Sequence, residues 1–337
     1  MTKLTEKENY LRLLRGEFPE WIPMYAFGPN PDGTPTSQIK CFSGPLIPHR
    51  MVKKPAKDLW GVTYVDVEGG DLPEPNNFIL EDVTKWQDVI HAPDVSDFDW
   101  EKVAKQDLAR WNVDRSQTAL TFVLHTGFFQ GLMSFMGFNE GLCALVEEPE
   151  ACQELFNYMS DFYMYYLEHI IDYIKPDIIG ITDDIATWAN PFISPELYRE
   201  MLKPLYARHA KFATDRGLPI DMHCCGRCED FIDDWLDFGV TAWQPAQVSN
   251  DLLAIKEKYG RTFVICGGFD MTPELADPNC PKEAVVDAVK KTIDKLAPGG
   301  GYSCCASFLG APGDKIVQQK NAWVRETVRE YGANYYR

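Results

Sequence analysis

His223, Cys224, Cys225 and Cys228 place four soft metal ligands within six residues, in the stretch Asp221-Met222-His223-Cys224-Cys225-Gly226-Arg227-Cys228. The apolar run Gly217-Leu218-Pro219-Ile220 comes directly before it, so the cluster reads as a metal site at the end of a strand. If the chain stays extended to Cys225, the two-residue period sets His223 and Cys225 on one face and Cys224 on the other. An imidazole and a thiolate side by side suit zinc, but two ligands do not close its coordination sphere. The plain alternative is a core histidine beside a buried thiol.

Positioning such ligands takes strands that end at one place. Candidate strands lie near residues 22, 62, 120, 179, 220, 241, 263 and 302, and from the fourth onward they alternate with helices. Polar residues stand just past several of these strands: Asp183 and Asp184, His223 and Cys225, Gln244, Cys266 and Asp270, Cys304 and Cys305. One of the two aspartates has the simpler reading of a turn or helix cap, and Cys266 reads as ordinary core. Eight strands in 337 residues, with no Gly-x-Gly-x-x-Gly after the first, predict an α/β chain folded as one (β/α)8 barrel with inserted loops over residues 1–337. A doubly wound sheet is the alternative. The Pro- and Gly-rich stretch 28–48 reads as a long loop. Residues 139–174 read as two helices broken near Pro149, and Ser194-Pro195 as the cap and first residue of another.

Net charge is −17 with no basic patch, which argues against nucleic-acid binding. The opening Met1-Thr2-Lys3-Leu4-Thr5-Glu6-Lys7-Glu8 lacks an apolar core, and no run of 18 apolar residues occurs. The expectation is a cytoplasmic protein without membrane contact, whose ten cysteines are thiols. The stretch Gly127 to Phe138, crowded with aromatics and methionines, is core or the wall of an apolar pocket.

The segments His223-Cys224-Cys225-Gly226, Trp243-Gln244-Pro245, Cys266-Gly267-Gly268-Phe269-Asp270 and Pro298-Gly299-Gly300-Gly301-Tyr302 together resemble the uroporphyrinogen decarboxylase superfamily. Leu14-Arg15-Gly16-Glu17, Trp21-Ile22-Pro23 and Ser194-Pro195-Glu196 with Lys203-Pro204 extend the resemblance over nearly the whole chain, and its cobalamin-dependent methyltransferase branch matches best. The resemblance implies a (β/α)8 barrel. It also implies zinc held by His223, Cys225 and a later cysteine, and a methyl-corrinoid presented by a separate corrinoid protein. The relatives' later cysteine falls where this chain has Phe308, so Cys304 or Cys305 is expected to serve, with Cys266, Asp184 and Cys228 as the other candidates. Asp184 is expected to orient a ligand or the substrate and Gln244 to hydrogen-bond it, with Tyr25, Phe27, Tyr64 and Phe128 lining a pocket for an apolar methyl donor. The decarboxylases of the family carry an arginine-rich segment after the first strand, whereas Met24-Tyr25-Ala26-Phe27-Gly28-Pro29-Asn30 has no arginine. That disfavours a metal-free lyase acting on porphyrinogens through Asp183 or Asp184. A barrel that only binds a corrinoid or a metal is the reading from outside enzymes.

Overall fold

Residues 119–124 (Ala-Leu-Thr-Phe-Val-Leu) are buried along their whole length, the mark of a central parallel strand covered on both faces. The computed structural model describes residues 4–26, 28–43, 55–67, 70–124, 127–311 and 313–336. Its strands are β1 (Gln38–Cys41), β2 (Ala56–Lys57), β3 (Thr63–Val67), β4 (Gly70–Pro73), β5 (Ala119–Leu124), β6 (Ile178–Thr182), β7 (Ile220–His223), β8 (Val240–Ala246), β9 (Val264–Gly267) and β10 (Tyr302–Ser303). Seven form one parallel sheet in the order β1-β5-β6-β7-β8-β9-β10. The segment around Met24 closes the ring. Met24 bridges Cys304 in parallel beside β10, while Gln38 Nε2 at the start of β1 donates to the Ala26 carbonyl at 2.6 Å. With helices between successive strands, this is the (β/α)8 barrel that the strand count predicts.

Two expected barrel strands are placed differently. The run near residue 62 pairs antiparallel with β2 and β4 in a separate three-stranded ribbon, β2-β3-β4. Its place in the barrel is taken by β1, which lies inside the stretch read as a loop. Four residues between Pro-rich flanks are too short a run for their pattern to register, whereas β3 has the β-branched alternation of a half-exposed hairpin. The expected strand near residue 22 reduces to the bridge at Met24.

The helices follow their local signals. Phe138–Glu147 stops where Pro149 opens the 26-residue helix Pro149–Ile174, and Ser194 Oγ accepts from Leu197 N at 3.2 Å to cap Pro195–Met201. The first helix, Glu6–Leu14, begins with a capping box between Thr5 and Glu8 and turns Tyr10, Leu13 and Leu14 toward Ala119, Ile178, Ala242 and Val264 at the strand starts. It plugs the end of the barrel opposite the strand tips. Burial of Leu13 and Leu14 alone contributes about 3–6 kcal/mol before entropy is counted. Among the described residues, no helix is long and apolar enough to cross a membrane.

His209 is packed into this scaffold with its Nε2 3.0 Å from Ser160 Oγ and its ring against Phe128. Burial, with a smaller push from Arg208, lowers its pKa to about 3. Below about pH 6.5 the unfolded chain takes up a proton that the native state refuses, so stability falls as pH falls from there toward 3, by about 1.4 kcal/mol per unit. Urea unfolding at pH 7 and pH 5 is expected to show the native chain losing about 2 kcal/mol more than His209→Gln across that interval. Equal losses would remove His209 from the account of acid lability.

Candidate active site

The pairing of β6, β7 and β8 sets Thr182, His223 and Gln244 side by side at the strand tips. Asp221 and His223 alternate inward along β7 while Ile220 and Met222 join the outer core. Cys225 returns to the side of His223, with Sγ 3.8 Å from Nε2, and Asp184 Oδ1 just beyond β6 also lies 3.8 Å from Nε2. Among the described residues, Asp184, His223 and Cys225 form a group whose ligand atoms all fall within 4.8 Å of one another. Ligands at ordinary zinc bond lengths and tetrahedral angles stand about 3.3–3.6 Å apart, so small side-chain adjustments would let the three share one ion. The turn is held by Asp184 Oδ1, which accepts from Cys225 N at 2.6 Å, and by Gly226. At φ +93°, a Cβ on Gly226 would stand 2.6 Å from the Thr187 carbonyl oxygen, so only glycine lets the loop lie this close.

The electrostatics suit a cation. Burial, aided by Lys40, lowers the His223 pKa to about 4, so the imidazole is neutral at pH 7, as a ligand must be. Gln244 Oε1 lies 2.9 Å from Nδ1 and Lys40 Nζ 3.3 Å from the same nitrogen; the tautomer in which Nδ1–H donates to the amide oxygen is the one that leaves the Nε2 lone pair for a metal. Burial and then the Asp184 carboxylate push the Cys225 thiol well up. Such a thiol gives up its proton when a metal ion supplies the compensating charge. Gln244→Leu is expected to weaken zinc binding about 10- to 100-fold in a chelator competition, through loss of ring orientation. An unchanged affinity would show that the amide does not hold the imidazole.

The last strand does not complete this group. By alternation Cys304 turns outward into the core, and Cys305 turns inward near Lys40 and Asp221. Asp221 sits two residues below His223 on β7, about 6.6 Å deeper in the barrel, and Cys305 keeps company with that layer. The third side chain within reach of His223 and Cys225 is that of Asp184. Cys266 lies lower still, 3.9 Å from Tyr10 OH, and Phe308 packs on Phe269. Cys224 and Cys228 are buried together, Sγ to Sγ 3.3 Å, on the far side of the turn from Cys225. Asp183 accepts from Phe129 N and Gln130 N at 2.8 and 3.0 Å, capping the helix Phe128–Met136.

A cavity of about 450 Å³ reaches Asp184 from the cleft between the β2-β3-β4 ribbon and the helix Phe128–Met136. Tyr64 lines it. Two other expected wall residues do not. Tyr25 is buried inside the barrel, donating to Asp221 Oδ2 at 2.8 Å, and Phe128 faces the core against Phe156, Tyr163 and Tyr206. Phe27 lies outside the described residues. Sequence reasoning missed Lys40, whose Nζ is 3.3 Å from His223 Nδ1, because its strand was read as loop. It also missed Gln130, whose amide donates to Asp184 Oδ2 at 3.1 Å and links the cavity wall to the ligand cluster. A lone amide at the start of an apolar helix was the available signal.

The uroporphyrinogen decarboxylase (URO-D) family matches residues 68–313. No curated protein matches the chain. Among solved structures, a methyltransferase from Methanosarcina mazei superposes with a TM-score of 0.66 at 13% identity, over 98% of this chain and 99% of that one. That likeness is one of fold. The family match spans most of the barrel, including the strand tips that carry Asp184, His223, Cys225 and Gln244, and on it the chain belongs to the uroporphyrinogen decarboxylase family.

Proposed function

We propose that the chain is a zinc-dependent methyltransferase that moves a methyl group between a small methyl ether, amine or thiol and a corrinoid carried by a separate protein. The observation that carries the reading is the Asp184–His223–Cys225 group, whose Asp184 also lines a largely apolar cavity. The description of the Methanosarcina mazei neighbour as a methyltransferase supports it. Zinc held by these three residues would supply Lewis acidity, which makes a thiol more acidic or an ether oxygen a better leaving group. The chain's own groups do the rest. Gln244 holds the imidazole with Nε2 free, Gln130 fixes one oxygen of Asp184 where the cavity meets the cluster, and the aromatic walls offer a substrate an apolar surface. Porphyrinogen decarboxylation is the less favoured reading, because among the described residues no arginine or lysine lines this cavity to meet the substrate's carboxylates. The test is metal analysis of purified protein together with an assay for methyl transfer to a Co(I) corrinoid. About one zinc per chain with zinc-dependent transfer is expected, and full transfer by metal-free protein would sink the proposal.

A further inference from the structure

We infer that Lys40 is a positioning residue that suits the Asp184–His223–Cys225 group to a metal carrying a bound monoanion, a thiolate or an alkoxide, and that it weakens the hold on the bare metal. The inference rests on the zinc-binding part of the reading above. Ile39 and Cys41 of β1 join the outer core, so alternation turns Lys40 into the barrel. There its Nζ stands 3.3 Å from His223 Nδ1, the nitrogen that Gln244 Oε1 also faces at 2.9 Å, and 5.8 Å from the centre of the Tyr25 ring. Among the described residues, the acidic groups whose charge it meets are Asp221, Cys305, Cys225 and Asp184, in decreasing order of effect. The last two belong to the candidate ligand group.

An ammonium beside a ligand imidazole works against a cation in two ways. It repels the ion across the ring. It also donates to Nδ1 only while that nitrogen keeps its lone pair, which is the tautomer that blocks Nε2. With Nε2 committed to a metal, the ring proton sits on Nδ1, where Gln244 accepts it, and Lys40 becomes a neighbour of like charge. For an anion the balance is reversed. Zinc with one thiolate and one carboxylate is formally neutral, so an anion joining it leaves an excess negative charge in a half-buried site. The Lys40 ammonium offsets that charge.

Cobalt(II), whose colour reports both a thiolate ligand and an added anion, tests this in place of zinc, with azide as the anion. At about pH 8, Lys40→Met is expected to bind cobalt at least about tenfold tighter than the native chain, and its cobalt form to bind azide at least about threefold weaker. Lys40→Arg keeps the charge and should return both affinities toward the native values. Asp221→Asn, which removes the opposite charge from the layer below His223, should move them the other way, with cobalt weaker and azide tighter. Damage to the fold would weaken both together, so the opposite movement is the signature. Lys40→Met shifting both affinities in one direction, or neither, overturns the inference and leaves the zinc reading standing. If Lys40→Met does not fold, Asp221→Asn decides, and azide bound no tighter than in the native chain overturns the inference. A native chain that binds no cobalt overturns the inference and the zinc reading together.

Discussion

Replacing Cys225 by alanine is expected to take zinc from about one per chain to near zero and to lower methyl transfer by about 10³-fold. A Lewis acid contributes several kcal/mol to a transition state that develops charge, and about 4 kcal/mol corresponds to that factor. The loss should be specific to the thiol that faces Nε2 of His223 at 3.8 Å. Cys224→Ala and Cys305→Ala remove thiols that point to the far side of the turn and into the deeper layer of the barrel, so both should keep their metal. Metal content by mass spectrometry separates the cases without reference to turnover. A Cys305→Ala protein that lost zinc while Cys225→Ala retained it would return the third ligand to the last strand.

The contrast between these thiols shows how far residue spacing carries. The two-residue period along β7 was enough to separate Cys225 from Cys224, because side-chain direction is local to the strand. Depth in the barrel is not local. Whether Cys305 stands level with His223 depends on the stagger of strands that lie far apart in the chain. Long buried strands such as β5 and β6, and helices with explicit caps, were legible for the same local reasons. β1 was not, since its four residues owe their strand conformation to pairing with β5. The cavity was half legible. The aromatic helix Phe128–Met136 announces an apolar wall, but which of its faces looks outward is set by packing against Pro149–Ile174. The opposite wall comes from Trp60 and Phe78, dispersed in unpatterned sequence.

Of the two adjacent aspartates at the end of β6, Asp183 should govern stability and Asp184 metal binding. Asp183→Ala is expected to destabilise the chain by about 3–5 kcal/mol. The helix Phe128–Met136 starts after Gly127, which has no side chain to cap it, and its N–H groups at Phe129 and Gln130 are satisfied by the two oxygens of Asp183 reaching across from β6. The Tyr206 hydroxyl donates to the same carboxyl group. Burial raises the Asp183 pKa to about 7 while these three donors oppose the rise. Alanine would leave three buried donors without an acceptor, each costing about 1–3 kcal/mol less whatever water can recover. Asp183→Asn keeps the shape and one acceptor oxygen, so about half the loss is expected. In a double-mutant cycle with Tyr206→Phe, urea unfolding should give a coupling above about 1 kcal/mol. Asp184→Ala should lose zinc with a smaller loss of stability, since Asp184 is only half-buried, belongs to the candidate ligand group and leaves one backbone donor, Cys225 N–H, without its acceptor. Asp183→Ala within about 1 kcal/mol of the native chain would mean that the helix is held by its apolar face alone. Gln130, which the same cap fixes in place, would then need another explanation for its reach to Asp184.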